Sequence, residues 1–246
     1  MQHYLYDDLY QSEEFHWWHR AKRRLVLMLI GRYTPRRHPR ILDVGCGTGK
    51  NIEAWSRLGT TQGIDVSPRA IHYCKKRGLT RVQQAKAECT KLTGSSVDVV
   101  TLLDVLEHTD DMPVIAEMAR IITRRGILIV SVPAYPWLWS TWDVVLHHRR
   151  RYTKEELHRK LSAQGFLPIY TSHVFSFLPI PAILIRFVKS RRPPKQYGSD
   201  FQLTSGAINR MLYALCMAEQ FVMQIVPLPF GPVLFVLHKK YEMHRL

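Results

Sequence analysis

The chain has few cysteines: four in 246 residues, Cys46, Cys74, Cys89 and Cys216, with no C-x-x-C pair and no metal-site spacing. That excludes a disulfide scaffold or a zinc finger and suits reduced thiols in a cytoplasmic setting. No apolar run approaches the roughly 18–20 residues that cross a bilayer. The segment Phe175 to Ile185 is too short and is interrupted by Pro179 and Pro181. The first residues include Asp7, Asp8, Glu13 and Glu14 and no apolar core, so no secretory leader is expected. Acidic residues are scarce, 20 against 35 Lys and Arg, which leaves a formal charge of +15 and a pI near 9.9. Such an excess implies an anionic partner: a nucleic acid, a membrane surface or a phosphorylated substrate.

The most informative stretch is Asp43-Val44-Gly45-Cys46-Gly47-Thr48-Gly49. The apolar pair Ile41-Leu42 before it reads as a buried strand, and Asn51 to Trp55 after it reads as a helix start. A glycine-rich turn between strand and helix lets a ligand approach the backbone, and the helix start supplies unpaired N–H groups. Asp65 ends the next apolar run, Gly63-Ile64-Asp65. It stands about 20 residues past the first glycine, the spacing at which a second-strand carboxylate accepts ribose hydroxyls. A dinucleotide fingerprint fails, because Lys50 occupies the position of its last small residue.

ILDVGCGTG resembles the first motif of class I S-adenosylmethionine-dependent methyltransferases. GIDVSPRAI resembles that family's second strand and following helix. Ala87 to Leu92 and VDVVTLLDVLEHTDD, Val97 to Asp111, resemble its adenine-side loop and fourth strand. The resemblance runs from about Arg40 to Val132. It implies S-adenosylmethionine as cofactor and S-adenosylhomocysteine as product. By the same resemblance, Gly45, Cys46, Gly47 and Gly49 line the methionine portion and Asp43 orients its amine. Asp65 and Val66 sit at the ribose, and Glu88, Cys89 and Leu103 surround the adenine.

The acceptor side is sought after the fifth strand, at the sheet end where α/β folds bind ligands. There stand His147-His148-Arg149-Arg150-Arg151-Tyr152. Histidine works as a general base near neutral pH, and arginine grips carboxylate or phosphate. The stretch from Val132 to Leu157, with HWWHRAKRRL near the start, resembles a bacterial branch of the family associated with cell-surface glycan or lipid pathways. In that branch the spacing His, then Arg-Arg-Tyr, maps to His148, Arg150, Arg151 and Tyr152. The catalytic candidates are therefore His148, His108 and Tyr152. The substrate-binding candidates are His147, Arg150, Arg151 and, as an N-terminal cover, Trp17 and Trp18. Asp104, Glu107 and His108 share one face of a helical turn. Some relatives, among them quinone O-methyltransferases and small-RNA methyltransferases, use an acid-x-x-acid-His run for a divalent ion. The same letters are widespread in relatives without metal, and an acid at a helix start is usually a cap. No metal is expected.

Alternating apolar runs and helical patterns predict a doubly wound, Rossmann-like, mostly parallel seven-stranded α/β sheet with helices on both faces. Strands are expected near 40–45, 61–65, 80–84, 97–103, 126–132, 166–173 and 233–237. Thr153 with Glu156 forms a capping box opening a helix to Ala163. The predicted organisation is an N-terminal helical extension (1–39), the cofactor-binding region (40–173), a helical, partly apolar insertion (174–232) and a last strand with tail (233–246). In the insertion, Phe175 to Ile185 lies beside Arg186, Lys189, Arg191, Arg192 and Lys195. An apolar run next to a basic cluster suits peripheral contact with an anionic membrane, with a lid or a dimer element as alternatives. The expected activity is O-methylation of a small or lipid-linked acceptor bearing an anionic group. RNA methylation is the second reading, and a non-catalytic cofactor-binding regulator the third. Against RNA, the chain has no Asn-Pro-Pro-Tyr or Asp-Pro-Pro-Tyr run after the fourth strand and no separate RNA-binding module.

Overall fold

A computed structural model describes residues 3–178 and 206–241. Seven strands form one sheet in the order β3-β2-β1-β4-β5-β7-β6. They are β1 (Arg40–Val44), β2 (Thr60–Asp65), β3 (Val82–Gln84), β4 (Val97–Leu103), β5 (Ile122–Pro133), β6 (Phe166–Val174) and β7 (Val233–Lys240). The first five pair in parallel, while β7 runs antiparallel to both β5 and β6. This is the expected doubly wound sheet with a reversed last strand. The helices are α1 (His3–Ser12), α2 (Trp17–Tyr33), α3 (Lys50–Trp55), α4 (Pro68–Lys76), α5 (Asp111–Ile121), α6 (Thr141–Val145), α7 (Lys154–Ser162) and α8 (Gly206–Met223).

The central strands are apolar on both faces because helices cover both. Along β5, Leu128 and Val130 point to one core with Val114, Met118, Leu157 and Leu161 of α5 and α7. Ile127 and Ile129 point to the other, with Ala21, Leu25 and Leu29 of α2, Trp55 of α3 and Met223 of α8. The period-2 alternation of a strand divides one run of residues between two cores.

Expected elements and structure agree closely, with three differences. β5 begins at Ile122 rather than near 126, because Ile122 already pairs with Val97 before a register irregularity. Arg125 takes φ 64°, the backbone kink at that irregularity. α2 reaches four residues further toward the N-terminus than the pattern of Leu25, Met28 and Leu29 indicates, since His16 accepts the backbone N–H of Trp18 as its cap. α1 was not foreseen. Thr153 does cap α7, accepting the Glu156 N–H at 3.2 Å. Most of the apolar-basic segment, Pro179 to Lys195, lies outside the described residues.

Candidate functional site

The glycine turn lies at the carboxyl end of β1, where Asp43, Asp65 and Asp104 converge from the ends of β1, β2 and β4. Gly45 has φ 72°, and a Cβ there would come within 2.5 Å of the Val105 side chain, so only glycine closes this turn. The Gly45 and Cys46 N–H groups both donate to the Ile64 carbonyl, at 2.8 and 3.0 Å. Asp65 is nearly buried and accepts the Gly47 N–H and the Ser67 N–H, both at 2.9 Å. One carboxylate thus ties the end of β2 to the turn after β1. Burial raises the Asp65 pKa even against these two bonds. Asp43 is fully enclosed, accepting the Thr101 hydroxyl at 2.6 Å and the Asn51 amide at 3.5 Å, and burial pushes its carboxyl up to about 7. Both acids are therefore fixed in place by the turn and the strands around them.

Val66 is exposed beside Asp65, and Leu103 is half-buried at the end of β4. Glu88 and Cys89 are exposed on the loop after β3. Glu117 shapes that loop, a residue the sequence reading missed. It accepts the Thr90 N–H at 2.9 Å and the Thr90 hydroxyl at 2.6 Å, while Arg120 pairs with it at 2.7 Å and donates to Leu92 O at 2.7 Å. The Arg120 hydrogen bond is the main reason that the Glu117 carboxyl falls to about 2.

α1 covers the turn from the other side. Asp7 takes two bonds from Arg69, at 2.8 and 2.5 Å, and a third from Tyr73. Tyr10 stacks on Tyr73 at 4.5 Å, and Tyr6 interacts with Asp65. Glu13 bonds Thr48 inside the glycine turn and pairs with Arg77 at 2.7 Å. The signal was present in the sequence: Tyr6, Leu9, Tyr10 and Glu13 recur at helical spacing.

On the acceptor side, a one-turn helix at Leu106–His108 follows β4, and His148 approaches it from the loop after α6. Backbone bonds stitch the two segments together. Arg149 N–H donates to Glu107 O at 2.7 Å, and His108 Nδ1 lies 3.4 Å from His147 O. The His108 and His148 rings meet edge to face, 4.9 Å apart. Burial and the neighbouring His148 bring His108 down to about 4, so its imidazole is neutral at physiological pH. His148 Nδ1 is 2.9 Å from Asp143 Oδ1. Asp143 is buried and was not foreseen. Burial opposes its ionisation, but bonds from Arg151, at 2.8 and 2.9 Å, and from His148 carry its carboxyl down to about 2. Glu107 is wholly buried and neither carboxylate oxygen has a hydrogen-bond partner among the described residues. Glu107, His108 and His148 offer ligand atoms all within 4.8 Å of one another.

Several expected roles are corrected. Tyr152 is fully buried in the core, its hydroxyl donating to Leu106 O at 3.2 Å and to Asp111 at 3.1 Å, so it braces the loop instead of meeting a substrate. Arg150 pairs with Asp111 at 3.0 Å, and Arg151 is held by Asp143 and Ala134 O. Both build the loop and do not present a free cation to an acceptor. Trp17 belongs to the core, and Trp18 stacks on Phe175 at 4.0 Å, so this pair packs α2 against the rest of the fold. Asp104 bonds Lys22 and the Ser131 hydroxyl, and its charge also acts on Glu107 and His108. His147 is exposed at φ 58°, contributing its carbonyl to His108.

A family model described as a methyltransferase domain matches residues 42–130. A ubiquinone biosynthesis O-methyltransferase of Xanthomonas oryzae is 36% identical over 101 residues, covering 37% of this chain and 42% of that protein. One from Neisseria meningitidis is 26% identical over 192 residues, covering 72% and 71%. The alignment to the Xanthomonas relatives thus spans less than half of their length. Among solved structures, a SAM-dependent methyltransferase from Archaeoglobus fulgidus superposes with TM-score 0.57 at 18% identity, covering 89% of this chain and 94% of that one. Phosphoethanolamine N-methyltransferase 2 of Haemonchus contortus, solved with S-adenosyl-L-methionine, gives TM-score 0.59 at 16% identity, with 89% and 52% covered. These likenesses share the fold. Residues 42–130 thus match a methyltransferase domain, and the sheet order and the glycine turn with its two buried acids have the form of the class I, S-adenosylmethionine-dependent kind.

Proposed function

We propose that the protein transfers a methyl group from S-adenosylmethionine to a hydroxyl of a small acceptor carrying an apolar, lipid-linked part. The observation that carries the donor half is the pair Asp43 and Asp65 around the Gly45–Gly49 turn, one carboxylate enclosed and the other bonded to the turn itself. The donor supplies an electrophilic methyl on a sulfonium. The protein's task is to hold the acceptor oxygen in line and to ease loss of its proton. The neutral His108 and the Asp143-oriented His148 stand at the sheet end where that oxygen is expected, and we assign acceptor activation to them.

O-methylation is favoured by the relatives above, which are O-methyltransferases of ubiquinone biosynthesis. The lipid-linked part is favoured by the outer face of α8. There Ile208, Met211, Leu215 and Val222 follow at helical steps of three, four and seven residues and are all exposed, and Ile225, exposed as well, follows just past the helix. A recess of about 260 Å³ lined by Arg20, Arg23, Arg24, Arg57 and Tyr213 lies beside α8. No described helix is long and apolar enough to cross a membrane. We place the protein in the cytoplasm, with peripheral contact at an anionic membrane face. With Arg150 and Arg151 internally paired, an anionic group on the acceptor loses its main support.

Calorimetry with S-adenosylhomocysteine tests the donor half. Binding is expected in the micromolar range, on the order of −8 kcal/mol. Asp65→Ala should weaken it by about 1–3 kcal/mol through loss of a charged acceptor. Equal binding of NAD, or no binding of S-adenosylhomocysteine, overturns the reading.

A further inference from the structure

We propose that the recess between α2, the end of α3 and α8 binds the phosphate of an anionic phospholipid. What the phosphate is attached to rests on the lipid-linked reading above; the site itself rests on separate observations.

The first observation is a group of cations without a counter-ion. Arg20, Arg23 and Arg24 stand at helical spacing on one face of α2, within the run HWWHRAKRRL, and Arg57, just past α3, lines the same recess. The 17 residues of α2 include Arg20, Lys22, Arg23, Arg24 and Arg32 and no acid. Among the described residues, none that lines the recess is acidic. Carboxylates on the neighbouring segments are bound to other cations: Glu13 to Arg77 at 2.7 Å, Glu53 to Lys50 at 3.0 Å and Glu14 to Lys50 at 3.5 Å. Like charges gathered in one concavity repel, and a bound anion offsets that repulsion. Burial holds the Arg23 pKa below its ordinary value against the pull of Glu13, and the Arg20 charge adds to the lowering.

The second observation is the state of the donors. The Arg20 guanidinium lies over the Tyr213 ring, 4.0 Å from its centre. A cation held by a ring face keeps its N–H groups for an acceptor with two oxygens, such as phosphate. Arg23 donates to Glu13 O at 3.1 Å, and Arg24 to the Met217 sulfur. A guanidinium has five N–H donors, so both keep donors to spare. Arg57 is exposed and has no hydrogen-bond or ion-pair partner among the described residues. The third observation is what adjoins the recess. α2 and α8 lie side by side and point the same way: the Trp17 N–H donates to Asn209 at 2.8 Å at one end, and Arg32 donates to Gln224 O at 3.1 Å at the other. Along this seam Tyr213, Met217 and Phe221 recur every four residues; Tyr213 lines the recess and Phe221 is 66% exposed. Met211, Leu215 and Val222 extend the exposed apolar surface around α8. A basic recess that opens onto uncovered apolar surface fits a phosphate head whose chains lie along α8. A nucleic acid asks for a basic groove that tracks several phosphates. Here the guanidiniums converge on one recess, and its continuation is apolar.

The test uses the full chain and dihexanoylphosphatidic acid, a soluble phosphate ester with two short chains, in calorimetry. One site per chain with micromolar affinity is expected. Glycerol 3-phosphate, the same head without chains, and dihexanoylphosphatidylcholine, the same chains without net charge, should each bind at least about 10-fold more weakly. Arg20→Gln and Arg57→Gln should each weaken lipid binding about 10-fold, as for hydrogen bonds to a charged group. Lys154→Gln with Arg159→Gln removes two charges from α7, on the opposite face of the sheet, and should change it by less than about twofold. If Arg20→Gln fails to fold, Arg57→Gln, at an exposed position, carries the same comparison. Wild type that ignores the lipid, binds it no better than glycerol 3-phosphate, or binds it equally well after Arg57→Gln overturns the proposal. So does a short RNA that binds more tightly than the lipid and loses that binding in the same variants. Sedimentation with anionic vesicles in that case leaves the membrane reading standing, and intact S-adenosylhomocysteine binding leaves the methyl-transfer reading standing. Lipid binding retained by a wild type that takes up no S-adenosylhomocysteine sinks the methyl-transfer reading and not the site.

Discussion

At the scale of single residues, Asp43 is expected to make donor binding depend on pH. Burial lifts its carboxyl from 3.8 to about 7. A pKa raised in the folded state means that native protein takes up a proton that the unfolded chain releases, and the stability drawn from this group falls as pH rises from about 4 to 7. A cationic donor amine reverses that preference by pairing with the carboxylate. S-adenosylhomocysteine affinity should therefore climb between pH 5.5 and 7 and level off above, and Asp43→Asn should flatten the profile; calorimetry at several pH values checks both. On the acceptor side, His148→Ala should lower turnover by roughly 10²-fold or more with donor affinity nearly unchanged, once an acceptor is in hand. The donor residues were legible in the sequence because their signal is local: a glycine needing φ 72°, an acid ending a strand. The fates of Arg150, Arg151 and Tyr152 were not. Spacing placed them beside the acceptor, but Asp111 and Asp143 claim their polar groups, and both acids lie in other turns of the chain. Nothing in a linear reading says which carboxylate will reach which arginine.

At the scale of elements, five of the seven strands were readable to within two residues, and β7 runs three residues past its expected end. Each is an apolar run bounded by Gly, Pro or charge, and burial on both faces makes such runs continuous. β5 exceeded its expected span because Thr123-Arg124-Arg125 reads as a polar turn while Ile122 still pairs with β4. α1 escaped notice because its mean hydropathy is near neutral; its value lies in side chains that bond across to α4 and the glycine turn. Glu13 is the main tie. Replacing it with alanine leaves Arg77, only 10% exposed, without its carboxylate and frees Thr48. Glu13→Ala should cost about 1–3 kcal/mol of stability, read from a denaturant midpoint, and should also weaken S-adenosylhomocysteine binding several-fold. A variant with wild-type melting and wild-type affinity would show that α1 is a bystander.

At the scale of the whole molecule, the formal charge of +15 and the apolar outer face of α8 are expected to act together at an anionic membrane. Each basic residue near an anionic surface contributes about 1 kcal/mol, screened by salt. The protein should co-sediment with phosphatidylglycerol vesicles more than with phosphatidylcholine ones, and less at 0.5 M than at 0.05 M salt. Met211→Ser with Val222→Ser should reduce the vesicle-bound fraction and leave cofactor affinity unchanged. Indifference to both vesicle types at low salt would favour a soluble acceptor. The strand order has one more effect, on how the chain comes to fold. β7 is made after both β5 and β6, yet it lies between them and hydrogen-bonds to both. Until Lys240 leaves the ribosome, β5 keeps an open apolar edge and β6 has no strand to pair with. Open edges of that kind recruit other chains. The nascent protein is therefore exposed to aggregation until β7 has emerged, and losing a few residues of β7 should harm soluble yield more than losing a similar length from an outer helix.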